Sequence, residues 1–226
     1  MAARARIYGG LALARLEKFD DATIWLSAGV SIAERIITEG MRKVHYAELR
    51  ALCGDAYHEL ARLALHRKEN ARAQEMARLG IEHRMGLLHL VESSAVHFQL
   101  TDLYMLLLDA LPRNDLKQIG RAFEDAVAIV LTGCKRFQTD KKICRQFAER
   151  LFKFAIGITK DAQSPDAQYI QVWALSLYPL LESDELVENA RTMSNRLSSV
   201  QLPENLSARL KKMATFVARD NNADDK

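Results

Sequence analysis

The chain has 226 residues, 49% hydrophobic and 27% charged, with a formal net charge of +3, enough for one large domain or two small ones with a sizeable core. Its longest uninterrupted apolar runs, Ala126 to Leu131 and Tyr104 to Leu108, fall far short of the roughly 20 residues of a membrane-spanning helix, which excludes such a span. Only 10 Gly and 4 Pro occur and good helix formers are plentiful, so long helices with short connections are expected.

The opening stretch MAARARIYGGLALARLE faintly resembles a targeting peptide, with early basic residues and a short apolar run. The apolar spacing continues through Leu13 and Leu16, however, so it reads as a first helix over about 2–17, of this chain or of a piece cut from a longer protein. Further helices are predicted over about 20–40, 42–66, 69–87, 92–111, 114–137, 140–160, 165–181, 183–199 and 203–219. Asp20 and Asp21 are placed as caps of the second helix. Pro112 with Asn114 and Asp115 ends the fifth and caps the sixth, and Ser164-Pro165 puts proline in a first helical turn. Ser183-Asp184-Glu185 and Pro203-Glu204 repeat that start signal.

Two segments have a distinctive apolar pattern. Phe98 to Leu111 is apolar nearly all round, interrupted by Gln99, Thr101, Asp102 and Asp109, and is expected at the centre of the molecule. Ile143, Phe147, Leu151, Phe154 and Ile158 recur at helical steps and should face inward. The β-branched run at Val127 to Leu131 shows no alternation and no hairpin signal, so no strand is predicted. The tail Arg219 to Lys226 is polar and expected to fray, with 221–226 disordered.

A repeat underlies the helices. Gly29, Gly80 and Gly133 each follow an alanine by seven residues (Ala22, Ala73, Ala126) and stand 51 and 53 residues apart. A unit of that length holds two helices and their turns. Gly10 and Ala61 lie twelve residues before Ala22 and Ala73, and Phe19 and Phe123 lie three before Ala22 and Ala126. This pattern resembles the tetratricopeptide repeat, in which antiparallel helix pairs touch at small residues. Tyr57, Leu60, Ala61, Ala73 and Gly80 occupy the family's large, large, small, small and small positions. Departures are Arg6 and Gly9 at large apolar positions, Asn70 at an aromatic position, Asn114 twelve before Ala126, and no closing proline.

The resemblance implies an all-α fold without a sheet: about ten helices, the antiparallel pairs stacked as a right-handed α-solenoid. The array would span 1–138, with a helical C-terminal part over 139–220 packed on it. It also implies a non-catalytic scaffold or adaptor that binds a protein or peptide partner in a concave groove lined by the first helix of each pair. Carried onto this chain, the groove residues are Arg4, Tyr8 and Arg15 from the first unit, and Asp55, His58, Glu59, Arg62 and His66 from the second. Their mixed charges and imidazoles suit a peptide of both signs.

Other chemistry has less support. Asp55 and His58 have half the spacing of a di-metal site, but no second Asp/Glu-x-x-His and no HExxH occurs, so neither a metal nor another cofactor is expected. Arg78 and His83 resemble the Arg-x-x-x-x-His signature of HEPN-type helical ribonucleases, with Leu79 where that family prefers a polar residue. Phosphate-cradling and nucleophile-elbow motifs are absent. Cys53, Cys134 and Cys144 are odd in number without CxxC spacing, as for reduced, mostly buried thiols of a cytoplasmic protein.

Charge is uneven. Residues 135–160 carry eight Lys/Arg against two acids, and 85–134 three against six. Lys135, Lys141, Lys142, Arg145, Arg150 and Lys153 are therefore a possible basic surface, solvated or facing an acidic neighbour, with nucleic acid less favoured. Two alternatives stand beside the peptide-binding scaffold: a helical RNA-binding or ribonuclease module, and a structural or regulatory subunit of a larger complex or homodimer.

Overall fold

The computed structural model describes residues 1–39, 43–91, 93–137, 140–160 and 163–221, and among these the protein is all-α with no strand. The helices are α1 (Ala2–Arg15), α2 (Phe19–Thr38), α3 (Lys43–His66), α4 (Asn70–Leu88), α5 (Ser94–Ala110), α6 (Leu116–Arg136), α7 (Lys141–Thr159), α8 (Pro165–Leu175), α9 (Asp184–Ser198) and α10 (Glu204–Asn221).

The chain forms two compact units, Met1–Leu111 and Pro112–Lys226. The expected boundary at 138/139 thus falls inside the second unit. The cause is local: Leu111 is extended (φ −70°, ψ 142°) ahead of Pro112, as the proline ring requires, and a turn follows in which Asp115 N–H bonds Pro112 O at 3.0 Å. Asn114 lies in that turn rather than in a helix. The third copy of the repeat is therefore divided, with α5 in one unit and α6 in the other. Of the expected disordered tail, Asn221 ends α10 and the remainder lies outside the described residues.

In the first unit each helix packs on the next, and α1 and α5 also touch α3. Two turns repeat at the 51-residue interval of the sequence. Glu17 takes a left-handed φ of 59° while Lys18 N–H bonds Leu13 O at 3.0 Å and Glu17 N–H bonds Ala14 O at 3.1 Å. Correspondingly, Lys68 has φ 61°, Glu69 N–H bonds Ala64 O and Lys68 N–H bonds Leu65 O, both at 2.9 Å. These are Schellman endings that satisfy the last carbonyls of α1 and α3. They also start α2 at Phe19, with Lys18 at its N-cap and no side-chain cap. Asp20 and Asp21 are hence not caps but lie in the first turn, where their charge favours the helix N-terminus.

The repeated glycines mark close helix crossings. A Cβ on Gly29 would stand 2.7 Å from Ile7 Cγ1 and 3.0 Å from the Ile7 nitrogen of α1. One on Gly80 would stand 2.7 Å from Leu103 Cδ2 of α5 and 3.2 Å from Tyr57 Cβ of α3. Ala64, Ala73 and Ala110 make a similar small-residue junction of α3, α4 and α5, and Gln74 Nε2 donates to Ala110 O at 3.0 Å. Ten residues of α5 are buried, Leu100, Leu103 and Leu108 completely, as its all-round apolar sequence requires.

In the second unit α8 touches α6, α7, α9 and α10. Ser164 caps it by accepting from Ala167 N–H at 3.2 Å, with Pro165 in the first turn. Asp115 likewise caps α6, accepting from Gln118 N–H at 3.0 Å. Helix α8 ends at Leu175 rather than near 181, and a 3-10 turn follows over Tyr178–Leu180, because Pro179 has no N–H and disfavours a helical residue before it. Buried Gln171 donates from Nε2 to Thr159 O at 3.1 Å, and the Arg209 guanidinium lies 3.3 Å from the Trp173 ring centroid. The inward face of α7 is Cys144, Ala148, Leu151, Phe152, Ala155 and Thr159. It is turned by about one residue from the expected row, leaving Ile143 39% exposed. Small side chains at three of those positions let neighbouring backbones approach more closely than a phenylalanine row would.

Candidate functional site

The middle of α3 supplies both a notch and polar groups. Gly54 lies so close to α4 that a Cβ there would meet Arg84 Nε at 2.5 Å. Gly86 of α4 similarly makes room for Arg50 of α3, whose Nη1 an added Cβ would strike. The glycines thus let two arginines lie across the α3–α4 contact. Arg84 is only 3% exposed and is ion-paired with Asp55, whose side chain is 41% exposed. Its buried Nε–H has no hydrogen-bond partner.

Beside this pair, Gly54, Asp55 and His58 of α3, Arg84 of α4, and Gln99, Asp102 and Leu103 of α5 line a cavity of about 150 Å³. Burial holds the His58 imidazole below the ordinary histidine range, against the upward pull of Asp102, Glu59 and Asp55. The neutral ring leaves two carboxylates and one guanidinium as the formal charges of the cavity. The cavity is therefore lined by the Arg84 guanidinium, a cationic donor, and by the carboxylates of Asp55 and Asp102.

A second buried polar group joins α2, α3 and α4. Tyr57 Oη donates to Glu34 Oε1 at 2.6 Å, and in its Nε2–H tautomer His83 donates to the same oxygen at 3.3 Å. The Tyr57 and His83 rings stack with centroids 5.6 Å apart. Burial, then Glu34, pushes the Cys53 thiol nearby up to about 12, and burial lowers His83. His83 Nδ1 is buried without a partner.

The expected groove residues divide into four groups. Asp55 and His58 meet in the cavity. Arg4 is ion-paired with Glu48, which ties α1 to α3, while Arg62 donates to both carboxylate oxygens of Glu59, at 3.0 and 2.5 Å. His66 packs its ring against Phe19, centroids 5.1 Å apart. Tyr8 and Arg15 are exposed. Sequence reasoning missed Arg84, Gln99 and Asp102 as site residues. Gln99 and Asp102 did leave a trace, since they interrupt an otherwise apolar helix three residues apart.

The other expected residues do not line the cavity. Arg78 is exposed and His83 buried, and five positions along one helix turn their side chains well away from each other. Lys135, Lys141, Lys142, Arg150 and Lys153 are exposed, whereas half-buried Arg145 is paired with Glu182. Among the described residues no three of His, Cys, Asp and Glu are grouped as a metal site, and no helix is long and apolar enough to cross a membrane.

No protein-family model matches the chain, and no curated protein does. Among solved structures it is similar to one named "DHF79 filament", at 13% identity and a TM-score of 0.30, over 94% of this chain and 96% of that one.

Proposed function

We propose that the first unit is a non-catalytic, tetratricopeptide-like scaffold that captures a protein or peptide segment, anchored at the cavity between α3 and α5. The observation that carries this reading is the convergence of Asp55, His58, Arg84, Gln99 and Asp102 on one cavity, with the Arg84 Nε–H buried and unpaired. A buried donor without an acceptor costs about 1 to 3 kcal/mol, which an incoming carbonyl offsets. An amide suits the site because its C=O accepts from Arg84 while its N–H donates to a carboxylate. Size supports an anchor rather than a free cofactor: about 150 Å³ is below the roughly 300 to 1,000 Å³ of small-molecule pockets. The packing of α3 on both α1 and α5 supports a stacked array of helix pairs.

The test is an array of short synthetic peptides of varied charge, followed by calorimetric affinities for the best binder. Asp102→Lys and His58→Glu should each weaken it at least tenfold with helical content unchanged. Equal affinity in both variants removes the reading.

Two observations favour alternatives. The exposed lysines of α6 and α7 support RNA binding, for which a gel shift should weaken steeply with salt. Leu16, Ile24 and Trp25 are 68%, 64% and 42% exposed, which supports a subunit of a larger complex or a homodimer, readable from the mass in solution. Three free cysteines fit a reducing compartment such as the cytoplasm.

A further inference from the structure

The second unit carries two thiols that the peptide-binding reading does not use. Cys134 lies in the last turn of α6 and Cys144 in the first turn of α7, helices that pack together. Both are free; Cys144 is buried and Cys134 half-buried, and their side chains are in hydrogen-bond contact. The neighbouring sequence is cationic: Lys135 and Arg136 follow Cys134, and Lys141 and Lys142 precede Cys144, with Lys135, Lys141 and Lys142 exposed.

We propose that Cys134 and Cys144 form a reversible dithiol–disulfide site whose oxidant is a small anionic disulfide, drawn in by the basic residues around the α6–α7 turn. Cys134, the more accessible thiol, releases its proton and its sulfur attacks one sulfur of the oxidant. The S–S bond of the oxidant breaks, a mixed disulfide forms at Cys134, and one small thiolate leaves and takes up a proton. Cys144, already against the Cys134 sulfur, then loses its proton and displaces the second small thiolate. Two protein thiols are oxidised by two electrons and one disulfide is reduced to two thiols. Burial and the Cys144 hydrogen bond hold the Cys134 thiol well above the usual cysteine range. Exchange is consequently slow at neutral pH and accelerates as pH rises, because the thiolate is the attacking form.

The experiment incubates the full chain with glutathione disulfide at mildly alkaline pH, alkylates the remaining thiols after denaturation, and maps peptides by mass spectrometry. The expected product joins Cys134 to Cys144, leaves Cys53 alkylated, reverts with dithiothreitol and melts roughly 5 °C higher, as closure of so short a loop implies. Cys144→Ser should stop at the glutathione adduct of Cys134, and Cys134→Ser should form no adduct at either position. Replacing glutathione disulfide by neutral hydroxyethyl disulfide should slow the reaction several-fold at low salt, and high salt should abolish the difference. If both thiols stay alkylatable, or the wild-type adduct at Cys134 is never resolved, the site is refuted. Equal rates with the two oxidants overturn the role of the basic residues.

Discussion

At the scale of single residues, the first unit places ionisable groups where water is scarce and then partners them incompletely. His83 faces Glu34 from α2, Arg50 and Tyr57 from α3, and Glu82 on its own helix. Burial is the largest influence and lowers its pKa below 6.5. As pH falls, the unfolded chain therefore takes up its proton before the folded one does. The contribution to stability is complete above about pH 6.5 and declines below it, by at most about 1.4 kcal/mol per pH unit for one group. His83→Gln should flatten the acid side of a plot of melting temperature against pH, and an unchanged slope would assign the acid sensitivity to other groups such as His58. Gln99 and Asp102 were visible as interruptions of an apolar helix, but nothing in the neighbourhood of Arg84 in sequence shows that it is 3% exposed. Its burial depends on Gly54, 30 residues earlier, and such a notch exists only once the two helices cross.

At the scale of elements, helix ends were legible where the signal is covalent or a short side chain, as at Ser164-Pro165 and Asp115, whereas the break ahead of Pro179 was read through. The end of α1 was misread at Glu17, where the backbone adopts a left-handed turn without glycine and the helix stops at Arg15 rather than near 17. Asp20 and Asp21 looked like caps because capping residues are recognised by type, whereas the Schellman turn sets the start of α2 by hydrogen bonds from the preceding helix. The inward face of α7 was misplaced for a related reason: large apolar residues dominate a sequence pattern, yet alanine and cysteine set how near a neighbour can come. On the same helix Gly157 is exposed, and nothing lies within 4 Å of where its Cβ would be. Gly157→Ala should raise stability by about 0.5 to 1 kcal/mol by lowering the entropy of the unfolded chain. Calorimetric melting measures this, and a loss of stability would show that the position has a neighbour.

At the scale of the molecule, two compact units divide the chain at Leu111 and Pro112, which separates the effects of core mutations. Gly29→Leu drives a side chain into Ile7 and should cost about 1 to 3 kcal/mol by overpacking. Native-state hydrogen exchange should show the loss across Met1–Leu111 while protection in α6 to α8 stays within about twofold. Equal loss in both units would show that they unfold as one. The repeat was legible for two copies because their small residues and their turns recur at the same 51-residue interval. The third copy shared Ala126 and Gly133, both buried, but its helices fall in different units because Pro112 breaks the chain between them.

The sequence by itself determined an all-α protein, the approximate limits of ten helices and the glycine positions at which two helix pairs cross. Helix propensity, proline and apolar spacing act over a few residues and are written locally. Only the tertiary structure decided that Arg84 is buried beside Asp55 and His58, that Gln99 and Asp102 complete their cavity, and that Cys134 meets Cys144. Each of these pairings joins residues on different helices, and their distance depends on crossings set by the packing of all the side chains between them.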